Sequence, residues 1–194
     1  MKKSLIFMLG IIASTTLVAQ KKEGTPEIYD LRIYHYSSVE QEKRILTFME
    51  TALIPALHKQ GIKDIGAFES LANDTVADKR IYLLIPWTSH VQKFDVEKKI
   101  ASDQTFISEG ADYVEATYNK PVYDRIEFIQ LRAFHLAPKL QRPALTGPRD
   151  QRVYELRSYE SASEKIYHNK VEMFNEGGEI ALFLGLAGVG RPLV

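Results

Sequence analysis

Two short stretches carry the side chains best suited to gripping a small molecule. Asp30, Arg32 and Tyr34 alternate through Ile28-Tyr29-Asp30-Leu31-Arg32-Ile33-Tyr34, and Glu155, Arg157 and Tyr159 repeat the trio in Val153-Tyr154-Glu155-Leu156-Arg157-Ser158-Tyr159, 125 positions later. A guanidinium offers two parallel N–H donors to a carboxylate or other oxyanion, and a phenol adds an O–H donor. Residues two apart in an extended strand share a face. Each trio therefore presents carboxylate, guanidinium and phenol together, while Tyr29, Leu31 and Ile33 are expected to meet the helices from the other side. Clamping of a small anionic ligand is the chemistry this implies. The competing account is plainer: Asp30 with Arg32, and Glu155 with Arg157, are same-face ion pairs solvating an open sheet.

Other chemistry finds less support. His35, His58, His90, His135 and His168 are scattered with no pair at metal-ligand spacing, so no metal site is expected. By parity His35 is assigned to the helix side. The sequence contains no glycine-rich phosphate cradle, nucleophile elbow or ordered Ser/His/Asp set, and no cofactor is called for. Phe174, Met173 and Trp87 read as core, and Glu176 and Glu179 as a solvated helix face. Gly177-Gly178 falls inside a helical pattern, where each glycine costs about 1 kcal/mol against alanine, so close packing of that helix is expected to offset them.

The first trio must be positioned by a strand over residues 28–35. Ser38-Val39-Glu40-Gln41 fits a capping box, and Ile45, Phe48, Met49, Ala52, Leu53, Ala56 and Leu57 trace one helical stripe. Pro55 should kink that helix or mark a boundary, and Gly61 should end it in a left-handed conformation. A strand at about 64–71, a turn at Asn73-Asp74 and a strand at 80–87 form a hairpin. Residues 89–116 read as helix with Phe94, Ile100, Phe106 and Tyr113 inward, and a last strand covers about 124–134. The order βαββαβ over residues 27–134 is the ferredoxin-like split unit, so the fold class is α+β.

The second trio opens what reads as an incomplete second copy, residues 152–194, with a strand at 152–159 and a helix at 163–184 carrying Tyr167, Val171, Phe174, Gly178 and Leu182 on one side. Residues 135–151 hold Pro138, Pro143 and Pro148 without a period and read as an interdomain linker. No second hairpin follows. The expectation is a truncated or frame-shifted version of a two-domain protein; the alternative is a genuine β-α arm used in dimerisation.

Composition narrows the setting. The chain has 194 residues with 25 basic and 25 acidic side chains, 45% hydrophobic and no cysteine, which describes a globular protein without disulfides or lipidated cysteine and without a basic footprint for nucleic acid. Lys2 and Lys3, an uncharged stretch from Leu5 to Val18, and Ala19 before Gln20 form a secretory signal pattern over residues 1–19, too short for a spanning helix. A periplasmic or secreted protein with no stable membrane anchor after cleavage is expected.

At these residues the sequence resembles the NIPSNAP family. The resemblance rests on Val153 to Tyr159, on Asn169-Lys170 and Phe174-Asn175-Glu176-Gly177-Gly178-Glu179, and more loosely on Tyr29-Asp30-Leu31-Arg32. It implies ferredoxin-like domains whose sheets pair face to face as dimeric α/β barrels, in tandem or between chains, and hence a homodimer through sheet pairing. In such a barrel the trios would line the interior. It implies little about activity, since the family has no agreed catalysis. An acid/base pair with an orienting third group cannot be identified, so the residues favour a secreted ligand-binding or interaction module over an enzyme. A cofactor-free monooxygenase or isomerase acting on a small anionic substrate, by analogy of fold, and a non-functional fragment are the other readings.

Overall fold

The structure, a computed structural model, describes residues 24–142, 145–148 and 151–185. The stretch read as an export signal, residues 1–19, and the glycine-containing end after residue 185 lie outside the described residues. Four strands form one antiparallel sheet in the order β2-β3-β1-β4: β1 (Ile28–Tyr36), β2 (Gly66–Glu69), β3 (Lys79–Trp87) and β4 (Arg125–Arg132). β1 is central, paired with β3 from Ile28↔Trp87 to Tyr36↔Lys79 and with β4 from Ile28↔Arg132 to His35↔Arg125. This is the ferredoxin-like arrangement expected of βαββαβ.

Local chemistry sets the helix ends. α1 (Val39–Thr47) begins with the capping box: Gln41 N–H donates to Ser38 Oγ at 3.2 Å, and Ser38 N–H donates to Gln41 Oε1 at 3.2 Å. The helix widens into a π-helical stretch, Phe48–Leu53, and resumes as α2 (Ile54–Lys59), with Pro55 in its first turn. Proline lacks an N–H and crowds the carbonyl four residues back, and the wider turn before it accommodates both effects. Gly61, at φ 86°, ends α2 in the left-handed region, where only glycine is unstrained. The expected helix over 89–116 is two: α3 (His90–Ala101) and α4 (Gln104–Val114). Asp103 divides them, since its carboxylate accepts from Thr105 N–H at 2.9 Å and Phe106 N–H at 3.3 Å and so starts a new helix.

The main core lies between sheet and helices. Ile28, Tyr34, Tyr36, Ile81, Leu83, Ile85 and Trp87 meet Ile45, Phe48, Met49, Leu53, Leu57, Val96 and Ile100 there. Of the expected inward positions, Ile100 is buried and Phe106 and Tyr113 pack against this core, but Phe94 is exposed.

The face assignment of β1 is corrected by this core. Even-numbered residues, including Asp30, Arg32 and Tyr34, face the helices, and Tyr29, Leu31, Ile33 and His35 face away. Alternation misled because both faces of a central strand are covered: Tyr29, Leu31 and His35 are as buried as Ile28 and Tyr34. On the outer face Tyr154 sets its ring edge-on to Phe68 with centroids 5.0 Å apart, and at the start of β1 Glu27 N–H donates to Pro138 O at 2.8 Å.

The C-terminal part differs more. Residues 152–159 form no strand. β-propensity is largely a preference for neighbours, and among the described residues this stretch has no partner strand to complete its ladder. The expected helix over 163–184 is split into α5 (Glu164–Asn175) and α6 (Glu179–Gly185), because Gly178 adopts φ 83°. Gly177-Gly178 is thus a helix break rather than a packing contact. Phe134 and Ala137 pack with Phe174 and Ile180 in a second small core, with Val171 and Phe183 at its edge, while Tyr167 and Leu182 stay exposed.

Candidate functional site

Of the first trio, Asp30 and Arg32 face α3, and Tyr34 faces Tyr113 of α4. Asp30, with its side chain 7% exposed, is gripped by Lys93, whose Nζ lies 2.9 Å from Oδ1 and 2.8 Å from Oδ2. Four residues further along α3, Glu97 faces Arg32. That second contact is loose: Arg32 Nη2 and Glu97 Oε1 are 3.7 Å apart, and their side chains are 16% and 45% exposed. The guanidinium carbon also lies 5.3 Å from the centroid of Phe128, its partner across β4. Arg32 Nε is buried with no hydrogen-bond partner, and among the described residues the guanidinium makes no hydrogen bond at all.

Arg44 shows what a satisfied guanidinium in this protein looks like. Its Nε donates to Asp112 Oδ2 at 2.7 Å, Nη1 to Lys120 O at 2.9 Å and Nη2 to Asp112 O at 2.6 Å. Arg44 lines a shallow surface cleft of about 280 Å³ with Ser37, Ser38 and Lys120, but its donors are already used. Buried polar groups in folded proteins are nearly always hydrogen-bonded. Arg32 departs from that rule at Nε, and the carboxylate that approaches its guanidinium is distant.

Tyr34 is fully buried and its hydroxyl has no partner in good hydrogen-bond geometry, although it neighbours Tyr113. The Tyr34, Tyr113 and Tyr123 rings cluster with centroids 6.0 to 6.4 Å apart. Burial, then the adjoining Tyr34, push the Tyr113 phenol above the usual tyrosine range, with Arg32 acting in the opposite sense. The Tyr113 phenol is thereby held in its protonated form, a donor rather than a base. Trp87 Nε1 is another buried donor without a partner on the same face of the sheet.

The second trio does not join the first. Arg157 Nη2 donates to Glu155 Oε2 at 2.8 Å, and both side chains are exposed. The pair holds the Glu155 carboxyl below, and the Arg157 guanidinium above, their ordinary values. Tyr159 stacks edge-on with Phe174 at 5.6 Å and lies under Lys170 Nζ at 4.7 Å. For Glu155 and Arg157 the solvated ion pair describes what is found.

His35 is placed on the outer face, not the helix side. Its Nδ1 lies 2.7 Å from Asp78 Oδ1 and its Nε2 lies 2.7 Å from Glu127 Oε1, with Arg80 and Arg125 bonded to the same carboxylates. This network of polar contacts ties β1, β3 and β4 together at one end of the sheet.

Lys93, Glu97 and Phe128 were not singled out in the sequence. Their signal was present, since Lys93 and Glu97 are four apart with charges opposite in order to Asp30 and Arg32, but it became meaningful only with α3 laid over β1.

No family model matches the chain, and no curated protein matches it. Solved structures similar to it include NIPSNAP family proteins. One of unknown function from Agrobacterium tumefaciens is 13% identical with TM-score 0.42, over 55% of this chain and 87% of that one. Another from the same organism is 16% identical with TM-score 0.42, over 58% of this chain and 97% of that one. SnoaB, a cofactor-independent oxygenase from Streptomyces nogalater, is 14% identical with TM-score 0.36, over 55% of this chain and 91% of that one. At such identities and scores nothing about activity passes to this chain. The likeness is to NIPSNAP-type ferredoxin-like proteins, and the fold itself is read from the strand pairing.

Proposed function

We propose that this protein is an exported binding module that holds the anionic group of a small ligand at Arg32. The observation that carries the proposal is the guanidinium itself, largely buried, without a hydrogen bond among the described residues and only loosely approached by Glu97. A planar fork of donors in a partly desolvated position is suited to a carboxylate or similar oxyanion, and in such surroundings the contact is stronger than in water. The second trio is not part of the site, because Glu155 and Arg157 satisfy each other in solvent.

Export is proposed from the charged start at Lys2-Lys3, the apolar stretch from Leu5 to Val18 and the small residue Ala19. Mass spectrometry of protein recovered outside the cytoplasm should find a chain beginning at Gln20; an intact N-terminus there would refute it.

The binding reading is tested by calorimetric titration of small anions into the wild type and Arg32→Met. Wild type should bind and the variant should not, while the thermal midpoint changes little or rises, since methionine replaces an unsatisfied buried cation. Equal binding by both proteins would end the proposal.

A further inference from the structure

Resting on that reading, we infer that the ligand is a monoanion whose carboxylate is joined to a flat apolar body, and that Glu97 is a built-in competitor which the ligand displaces. Three observations lead there.

The first is the charge arrangement. Along the seam between β1 and α3 stand Asp30, Arg32, Lys93 and Glu97, two charges of each sign. Lys93 is committed to Asp30 by two close contacts, whereas Glu97 only hovers near Arg32. Exchanging the Glu97 carboxylate for one ligand carboxylate keeps the seam neutral, and a dianion would overbalance it. Arg132, the next cation on that face of β4, lies four residues from Phe128, about 13 Å along the strand, too far to share a compact anion.

The second is Phe128. It lies on the helix-facing side of edge strand β4, two residues from Ile126, which packs on the core, yet is itself 66% exposed. Its ring already flanks Arg32. A large exposed aromatic next to a donor-rich cation is a platform for a flat group whose charged end reaches the guanidinium.

The third is α3, which buries only Val96 and Ile100 of its twelve residues. The helix is seated lightly, and the Glu97 side chain, half in solvent, can swing away without breaking a hydrogen bond.

The experiment titrates full-length protein with benzoate, acetate and inorganic phosphate, following affinity by calorimetry and Arg32 Hε by NMR, with thermal melts to confirm that each variant is folded. Benzoate should bind at least tenfold more tightly than acetate, and phosphate no more tightly than acetate. Glu97→Gln should tighten benzoate binding severalfold. Phe128→Ala should bring benzoate down to the level of acetate. Equal affinities for benzoate and acetate, a preference for phosphate, or no response to Glu97→Gln or Phe128→Ala would overturn this inference while leaving the Arg32 reading standing, provided Arg32→Met still abolishes binding. If Arg32→Met binds the probes like wild type, or if Glu97→Gln binds none of them, both fall.

Discussion

Lys93 Nζ stands 2.8 Å from Asp30 Oδ2, joining α3 to the central strand, and one helical turn on Glu97 faces Arg32. The match follows from geometry: four residues of helix rise about 6 Å and two residues of strand about 6.6 Å, so two charges at i, i+4 on α3 fall over two at i, i+2 on β1. A polar seam thereby runs through a position where an apolar helix contact would be usual. It holds α3 in register with β1 while leaving the Arg32 donors unused.

Breaking the close pair should be costly. Lys93→Met leaves the buried Asp30 carboxylate without a counter-charge and is expected to lower stability by about 2 to 4 kcal/mol, with Asp30→Asn added in the same chain recovering part of the loss. Urea midpoints at pH 7 for the single and double variants measure this. A loss below about 0.5 kcal/mol would place the pair among ordinary surface contacts.

Asp78 makes part of the stability depend on acid. Hydrogen bonds from Arg80, and then from His35, hold its carboxyl below the ordinary value of 3.8. A depressed carboxylate contributes its full stabilisation above that value and loses it as the pH falls through the lower, folded-state value. The gap in thermal midpoint between wild type and Asp78→Asn should therefore be constant from neutral pH to about 5 and close below about 4. A gap that persists unchanged into strong acid would contradict the linkage.

The division of the α3–α4 region rests on one cap. Asp103→Ala removes the acceptor for Thr105 and Phe106 N–H and the partner of Lys59, and should lower the denaturation midpoint measurably. Asp103→Asn, which keeps an acceptor, should recover most of the loss. Chemical denaturation checks both, and equal losses would assign the effect to the Lys59 pair instead.

Glu155 and Arg157 should be nearly silent. Both are exposed and held by contacts within their own short stretch, so alanine at either should leave the thermal midpoint and the anion titrations essentially unaltered. A loss of anion binding in Arg157→Ala would return the second trio to the site.

The sequence by itself determined what depends on neighbours along the chain: the capping box at Ser38 and Gln41, the disturbance at Pro55, the left-handed stop at Gly61 and the strand-and-helix order that allows one antiparallel ferredoxin-like sheet. It also marked Asp30, Arg32 and Tyr34 as a set. Tertiary structure decided which way that set points, because β1 is covered on both faces and alternation lost its contrast between inside and outside. It decided that Lys93 and Glu97 complete the seam, since a pairing between a helix and a strand more than sixty residues away has no local trace. It also left Val153 to Tyr159 without a ladder despite a sequence close to that of β1, because a strand forms only where another backbone supplies the hydrogen bonds that its own cannot.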